Sequence, residues 1–260
     1  MMSKETKSPI KDLPVRLPGQ SINEQMDKIL NDRVVQYYLI ISMTIVMALM
    51  EWIRWCNNSK PNPILWTVIA LFCLVYYGIK TWKLIPVYRS LRLGQIGEEA
   101  AGQYLEEQLR PNGCQILHDI PFDSFNIDHI VIGPSGVYAI ETKTCSKPAK
   151  GKASVVYDGQ SVTVNGFKPE RDPIVQAKAE AHSLHELLER TTGKRFDVRP
   201  VVLYPGWYVE NMPANSEVWV LNEKAFPTFV ANGKKNLPPE DVSLITFHLK
   251  RYVIARAQEK

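Results

Sequence analysis

Two long apolar runs stand out near the start of the chain. Residues 34–50 and 61–79 carry no formal charge over 17 and 19 positions, and neither run shows the polar face of an amphipathic helix. As a helix the first run covers about 26 Å, close to the ~30 Å of a bilayer core, and nearby tryptophans extend both runs. The pattern predicts transmembrane helices at about 34–55 and 63–85, rather than buried helices of a soluble bundle.

The rest of the chain alternates between helical and strand periodicity. Apolar spacing predicts a helix over about 94–109, and Asp172 as N-cap with Pro173 after it opens a second helix that ends at Gly193. A third helix is predicted near 239–257. Strands are predicted near 115–120, 127–132, 137–143, 154–157, 161–164, 199–204 and 217–221. This order of elements predicts an α/β fold.

Loop charges predict the orientation of the two membrane helices. Six Lys or Arg residues precede the first apolar run and four lie between the second run and residue 94, but only Arg54 and Lys60 lie between the two runs. Because positive loops stay inside, both termini are expected to be cytoplasmic, in a two-pass protein of the cell (inner) membrane. The predicted domains are a flexible tail at 1–33, the hairpin at 34–85, a basic linker at 86–93, the main domain at 94–221 and a helical extension packed on it at 222–260.

The overall charge of +4 is concentrated next to the predicted membrane helices. Residues 1–93 hold 12 Lys and Arg against 6 Asp and Glu, whereas residues 94–260 hold 19 against 21. This distribution favours contact with anionic lipid, so any argument for nucleic-acid binding must be local. The four cysteines show neither zinc-site nor disulfide spacing, as expected in a reducing compartment.

The segment NIDHIVIGPSGVYAIETKT contains an opposed pair of acidic residues. Gly133 and Gly136 flank a Pro-Ser turn, and symmetric pairing about that turn places Asp128 opposite Glu141. Opposed side chains on one face lie about 5 Å apart, where two carboxylates repel by about 3 kcal/mol at an effective dielectric of 20. A divalent cation would offset this repulsion.

Carboxylates on two neighbouring strands are suitable ligands for Mg²⁺, with Mn²⁺ as an alternative. Lys143 lies two residues beyond Glu141 and therefore projects from the same face. A metal activates water and polarises a phosphodiester, while the ammonium group orients that water or stabilises negative charge. In the alternative interpretation, Glu141 and Lys143 form a solvated strand end and Asp128 is a surface turn residue.

The chain resembles the NERD (nuclease-related) domain of the PD-(D/E)xK nuclease-like superfamily. Three segments carry the resemblance, in order: GQIGEEA from Gly94, NIDHIVIGPSGVYAIETKT, and DPIVQAKAEAHSL from Asp172. It implies an αβββαβ core in which Asp128 and Glu141 are metal ligands and Lys143 is the catalytic lysine. It further implies that Glu98 is an accessory acid and that Gln176 helps to hold metal, water or phosphate. From spacing alone, both helix residues could equally be surface-exposed.

Several other polar residues are expected to have structural rather than catalytic roles. His129 should point to the opposite face from Asp128 and pack in the interior, while His182 and His185 are expected on the surface. Cys145 is interpreted as a strand-end cysteine. A set of basic residues follows the third strand and precedes the second long helix, where phosphate contacts would need them; the alternative is a solvated loop. These residues are Lys147, Lys150, Lys152, Lys168 and Arg171.

Three functions are compatible with this sequence. The first is a membrane-tethered, Mg²⁺-dependent nuclease that hydrolyses phosphodiester bonds, in DNA rather than RNA, on the cytoplasmic face. The second is a nucleic-acid-binding or adaptor module with little turnover, and the third is a membrane protein whose cytoplasmic domain binds partners. The expected partners are nucleic acid and the lipid bilayer, and the two-helix hairpin could also pair with itself to form a homo-oligomer.

Overall fold

The computed structural model describes residues 14–57, 61–147, 154–210, 213 and 216–258. They fall into two compact units. One unit comprises residues 21–93, and the other combines residues up to Gln20 with residues 94–260. In sequence, the second unit therefore includes residues that precede the first unit and residues that follow it.

Residues 21–93 form a helical unit with an apolar exterior. Helix α1, Gln20–Ile29, continues through a π-helical segment, Leu30–Val35, into α2, Gln36–Cys56, and α3 spans Pro63–Leu109. The Trp52 indole donates to the Thr67 hydroxyl across the two helices at 3.0 Å. Both helical stretches are long and apolar enough to cross a membrane, judged by length and composition.

Two predictions for this region differ from the structure. A flexible tail was expected up to residue 33, but α1 begins at Gln20, where Ile22, Met26 and Ile29 repeat at helical spacing and Met26 is buried. Residues 86–93, expected as a linker, are helical and continue α3 to Leu109. Pro86 removes one backbone donor from this helix without ending it.

The second unit is built on a five-stranded mixed sheet. Its order is β1-β2-β3-β6-β8, with antiparallel pairing from β1 to β3 and parallel pairing from β3 to β8. A smaller sheet has the order β5-β4-β7. The strands are β1 Gln115–Pro121, β2 Asn126–Gly133, β3 Gly136–Thr142, β4 Ser154–Tyr157, β5 Val162–Val164, β6 Val198–Leu203, β7 Tyr208–Glu210 and β8 Trp219–Leu221.

Helices cover both faces of the large sheet. Helices α4, Pro173–Thr192, and α6, Pro239–Gln258, pack on the face that receives Val137 and Ala139 of β3. The end of α3 and the short α5, Phe226–Asn232, pack on the face that receives Tyr138 and Ile140. This alternation along β3 is what a strand buried on both faces requires, and the unit is a mixed α/β fold.

The predicted strands and long helices of this unit are present, but two short elements were not predicted. β7 has three residues and pairs with β4 in the small sheet, and α5 has seven residues. Neither is long enough to establish a clear hydrophobic period. Helix α6, predicted as part of an extension, contributes Ile245 and Leu249 to the same core as α4 and β3.

Candidate active site

The pairing of β2 with β3 follows the predicted register. Gly133 pairs with Gly136, and the ladder continues to the His129–Ile140 pair. Beyond this pair the two strands no longer form backbone hydrogen bonds with each other. The backbone N–H of Thr142 instead donates to the Asp128 carboxylate at 2.7 Å. The ladder therefore ends one step before the predicted Asp128–Glu141 pair, and these two residues are not backbone partners.

The other edge of β3 keeps Glu141 on a rigid backbone. Glu141 and Thr142 remain paired with Val202 and Leu203 of β6, and the Lys143 backbone N–H donates to the Leu203 carbonyl at 2.8 Å. Glu141 has the same parity along the strand as Val137 and Ala139, so its side chain projects toward α4. Its side chain is almost completely buried.

A continuous chain of polar contacts joins the end of β3 to α4. The Lys143 ammonium contacts Glu141 Oε1 at 2.5 Å and donates to Gln176 Oε1 at 2.8 Å. The Gln176 amide then donates to Glu180 Oε1 at 2.9 Å. The structure thus brings together the predicted residues Glu141, Lys143 and Gln176, and it adds Glu180, which sequence reasoning missed.

Glu180 occupies a position where an apolar residue is expected. Its neighbours on the same face of α4, Ala177, Ala181 and Leu184, are buried, and Glu180 itself is only 1% exposed. One carboxylate oxygen, Oε2, is buried without a hydrogen-bond partner. A glutamate within an apolar stripe, four residues after Gln176, was the sequence signal that could have identified it.

Glu98 approaches the same region from α3. It is buried, and the helix comes close to the chain after β3 because Gly97 has no side chain. A Cβ atom at Gly97 would lie 1.7 Å from Thr144 Oγ1. The glycine of the GQIGEEA segment is therefore required by this close approach.

Burial and mutual repulsion raise the pKa values of three of these acids. Desolvation and then the Glu141 charge raise the pKa of Glu180 to about 9. Desolvation, Asp119 and Glu141 raise the pKa of Glu98 to about 8. Desolvation, followed by the Glu141 and Glu98 charges, raises the pKa of Asp128 well above its ordinary value. We call Glu98, Asp128, Glu141 and Glu180 the carboxylate cluster.

The carboxylate cluster has the chemistry of a site for a hard divalent cation. Carboxylate oxygens are the preferred ligands of Mg²⁺, and a dication would relieve the repulsion that raises these pKa values. Among the described residues, no three His, Cys, Asp or Glu side chains already form a complete metal-binding set. Asp128 and Glu141 are the residues that could hold such a cation, with water or phosphate supplying the remaining oxygens.

The histidines lie outside the cluster. His129 is fully buried on the opposite face from Asp128, as predicted, and its Nδ1 lies 2.9 Å from Nδ1 of buried His118. His118 also contacts Glu106 at 3.1 Å. His182 and His185 both lie on α4, where His182 is largely exposed and His185 contacts the Phe196 carbonyl.

The predicted nucleic-acid contacts are only partly described by the structure. Lys147, Lys168 and Arg171 are exposed, on the segment that leaves β3 and on the one that leads into α4. Lys147 Nζ lies near Gly206, just beyond the end of β6. Lys150 and Lys152 lie outside the described residues. Asp172 caps α4 as predicted, accepting the Ile174 N–H at 2.9 Å.

Comparison with known proteins gives one match. Residues 93–205 match the family model of the nuclease-related domain, NERD, which confirms the resemblance over that part of the chain. The matched segment runs from the second half of α3 to the end of β6 and includes the whole carboxylate cluster. No curated protein and no solved structure matches the chain.

The raised pKa of Glu180 predicts a specific pH dependence of stability. In the folded protein the pKa of Glu180 is about 9, above the ordinary value of 4.5. Glu180 therefore contributes its full stabilisation below about pH 4.5, and this contribution is lost as pH rises toward 9. Glu180→Gln should remove this loss and raise the unfolding free energy of metal-free protein at pH 8 by at least about 1 kcal/mol. Denaturant titrations in detergent with EDTA, from pH 5 to pH 9, measure the effect.

The matched control is Glu186→Gln, because Glu186 lies on the same helix with an exposed side chain. It should leave the pH dependence unchanged. Equal dependence of stability on pH for wild type and Glu180→Gln would contradict the raised pKa of the Glu180 carboxyl group.

Proposed function

We propose that this protein is a membrane-anchored, Mg²⁺-dependent nuclease of the PD-(D/E)xK type. It would hydrolyse phosphodiester bonds of nucleic acid, DNA in preference to RNA, at the cytoplasmic face of the cell membrane. The observation that carries the proposal is the convergence of Asp128, Glu141 and Lys143 at the end of β3, within the segment related to nucleases. The order α3, β1, β2, β3, α4, β6 supports it, because it matches the expected αβββαβ core.

Each residue of the site has a proposed role. Asp128 and Glu141 would hold the metal, which when bound would supply Lewis-acid polarisation of the phosphate and an acidified water. Lys143 holds its ammonium group beside Glu141, where it can orient the attacking water and stabilise developing negative charge. Gln176 fixes the ammonium from the other side, and Glu180 fixes the Gln176 amide. Glu98 is an accessory acid.

Substitution of the central residues should abolish cleavage in full-length protein purified in detergent. Glu141→Gln, Asp128→Asn and Lys143→Met should each lower kcat by at least about 100-fold, because each removes a group that stabilises transition-state charge. EDTA should abolish cleavage of plasmid and single-stranded DNA, and Mg²⁺ or Mn²⁺ should restore it. Lys194→Met, which breaks a surface ion pair with Asp241, should cleave at the wild-type rate.

A binding or adaptor module is the second candidate function. It is favoured by the lack of a complete set of three metal donors among the described residues, and by pKa values that keep Glu98 and Glu180 protonated near neutral pH. The same experiment separates the two candidates. Metal-independent binding without cleavage under any of these conditions would replace the nuclease proposal with this one.

Exposed cations beside the site would bind the nucleic-acid backbone. Lys147→Gln, Lys168→Gln and Arg171→Gln should each weaken DNA binding and reduce the slope of log K against log salt by about 1, because one phosphate contact is lost. Fluorescence anisotropy with Glu141→Gln protein measures binding without cleavage. Lys235→Gln removes an exposed cation near α5 and should leave the slope unchanged. An unchanged slope in all three variants would exclude these residues from the interface.

The two apolar helices would anchor the protein as a hairpin with both termini in the cytoplasm. Native cysteines offer a test, because exposed Cys56 lies at the end of α2 and Cys145 follows β3. In intact spheroplasts, a membrane-impermeant maleimide should label Cys56, and it should label Cys145 only after lysis. The protein should also stay in the membrane pellet after carbonate extraction. Cys56→Ser is the control for the outer label, and labelling of Cys145 before lysis would contradict this orientation.

A further inference from the structure

Residues 14–19, which we call the N-terminal strap, belong to the α/β unit although residues 21–93 separate them from it in sequence. The structure groups them with residues 94–260 in one compact unit. They lie outside the segment that matches the nuclease-related domain. The match therefore covers the residues that the strap contacts but not the strap itself.

A buried ion pair fastens the strap to β1. Arg16 Nη2 lies 2.6 Å from Asp119 Oδ2, and Arg16 Nε donates to the same oxygen at 2.8 Å. Only 9% of the Arg16 side chain and 2% of the Asp119 side chain are exposed. Asn126 donates to the other Asp119 oxygen at 3.0 Å. Because this pair joins two buried charges on segments that are 103 residues apart, it is a strong constraint on where the strap lies.

Two further contacts place the strap along one face of α3. Gly19 adopts a φ of +70°, and a Cβ there would lie 3.3 Å from Gln95 Cγ. A Cβ at Gly102 would lie 2.8 Å from Pro18 Cβ. Gln95 and Gly102 are spaced three and four residues from Glu98, so all three lie on the same side of the helix. The strap thus contacts α3 on both sides of Glu98.

The strap also contributes to the electrostatic surroundings of Glu98. Desolvation and then the Asp119 charge raise the pKa of Glu98, and the backbone N–H of Gly19, which donates to the Glu98 carboxyl group, acts in the opposite direction. Arg16 neutralises Asp119 directly. The same six residues therefore supply a hydrogen-bond donor to Glu98 and an ion-pair partner to Asp119, the charge that most opposes its ionisation.

We infer that the N-terminal strap completes the candidate active site, with Arg16 as the positioning residue that holds the Gly19 N–H against Glu98. This inference rests on the proposed function for its effect on cleavage. A purely structural strap would contribute to stability alone and would show no specific coupling to Glu98. The inference also implies that a fragment starting at residue 94 lacks part of the site.

Kinetics of the full-length protein in detergent test the catalytic consequence. Arg16→Ala should lower kcat about tenfold, the effect of one charge-assisted hydrogen bond, and leave KM within about twofold. Arg16→Lys should recover part of the loss, because it restores the charge without the two-pronged geometry. In a Glu98→Gln background, Arg16→Ala should cause no further loss. Arg256→Ala breaks another long-range Arg–Asp pair, with Asp123, and should cleave normally.

Amide hydrogen exchange gives a readout that does not need activity. Glu98→Ala should speed exchange of the Gly19 amide about tenfold, and Arg16→Ala should speed exchange of residues 14–20 and 94–102. Glu107→Ala, at an exposed position on the same helix, should change neither.

The outcomes separate the two proposals. Two results would overturn the role of the strap and leave the nuclease proposal intact. In the first, Arg16→Ala cleaves at the wild-type rate. In the second, Arg16→Ala lowers kcat equally with and without Glu98→Gln. If wild-type protein does not cleave, the nuclease proposal fails and hydrogen exchange alone decides the strap. Unchanged exchange at Gly19 in Glu98→Ala would then overturn its coupling to Glu98.

Discussion

The central constraint on the α/β unit is the gathering of four carboxyl groups, three of them buried, near one ammonium group. Removing carboxylates from water is costly, and each additional like charge nearby increases that cost. The raised pKa values of Glu98, Asp128 and Glu180 are the direct expression of this cost. Lys143 contacts only Glu141 among these acids, so it offsets a part of the repulsion and no more.

Backbone structure, rather than side-chain attraction, keeps these groups together. The end of β3 is held on one side by the parallel ladder with β6 and on the other by the Asp128 carboxylate. Helix α3 approaches closely because Gly97 leaves room for Thr144, and α4 brings Gln176 and Glu180 on one face. Main-chain hydrogen bonds and core packing can hold repelling side chains at a fixed separation, because both are insensitive to the charges.

The elements that could be predicted from the sequence are those determined by residues close together in the chain. The Pro134–Ser135 turn fixes the register of β2 with β3, and Asp172 and Gly193 delimit α4. Glu180 was missed because its burial depends on the sheet that α4 packs against, which no local pattern specifies. The docking of the strap and the continuity of α3 were also missed, because they too depend on contacts between segments that are distant in sequence. Arg16 and Asp119 are 103 residues apart, and nothing in either segment identifies its partner.

The cost of the carboxylate cluster also bears on which function it serves. Buried charged groups can often be replaced by apolar residues with a gain of about 1–4 kcal/mol, so a scaffold needing only stability has no use for this cluster. A module that only binds phosphates gains nothing from it either, because its attraction to the backbone comes from exposed cations such as Lys147, Lys168 and Arg171 and not from buried acids. Both objections disappear if a dication lies between the acids and the phosphate. This argument supports our proposal of metal-dependent phosphodiester chemistry over simple binding.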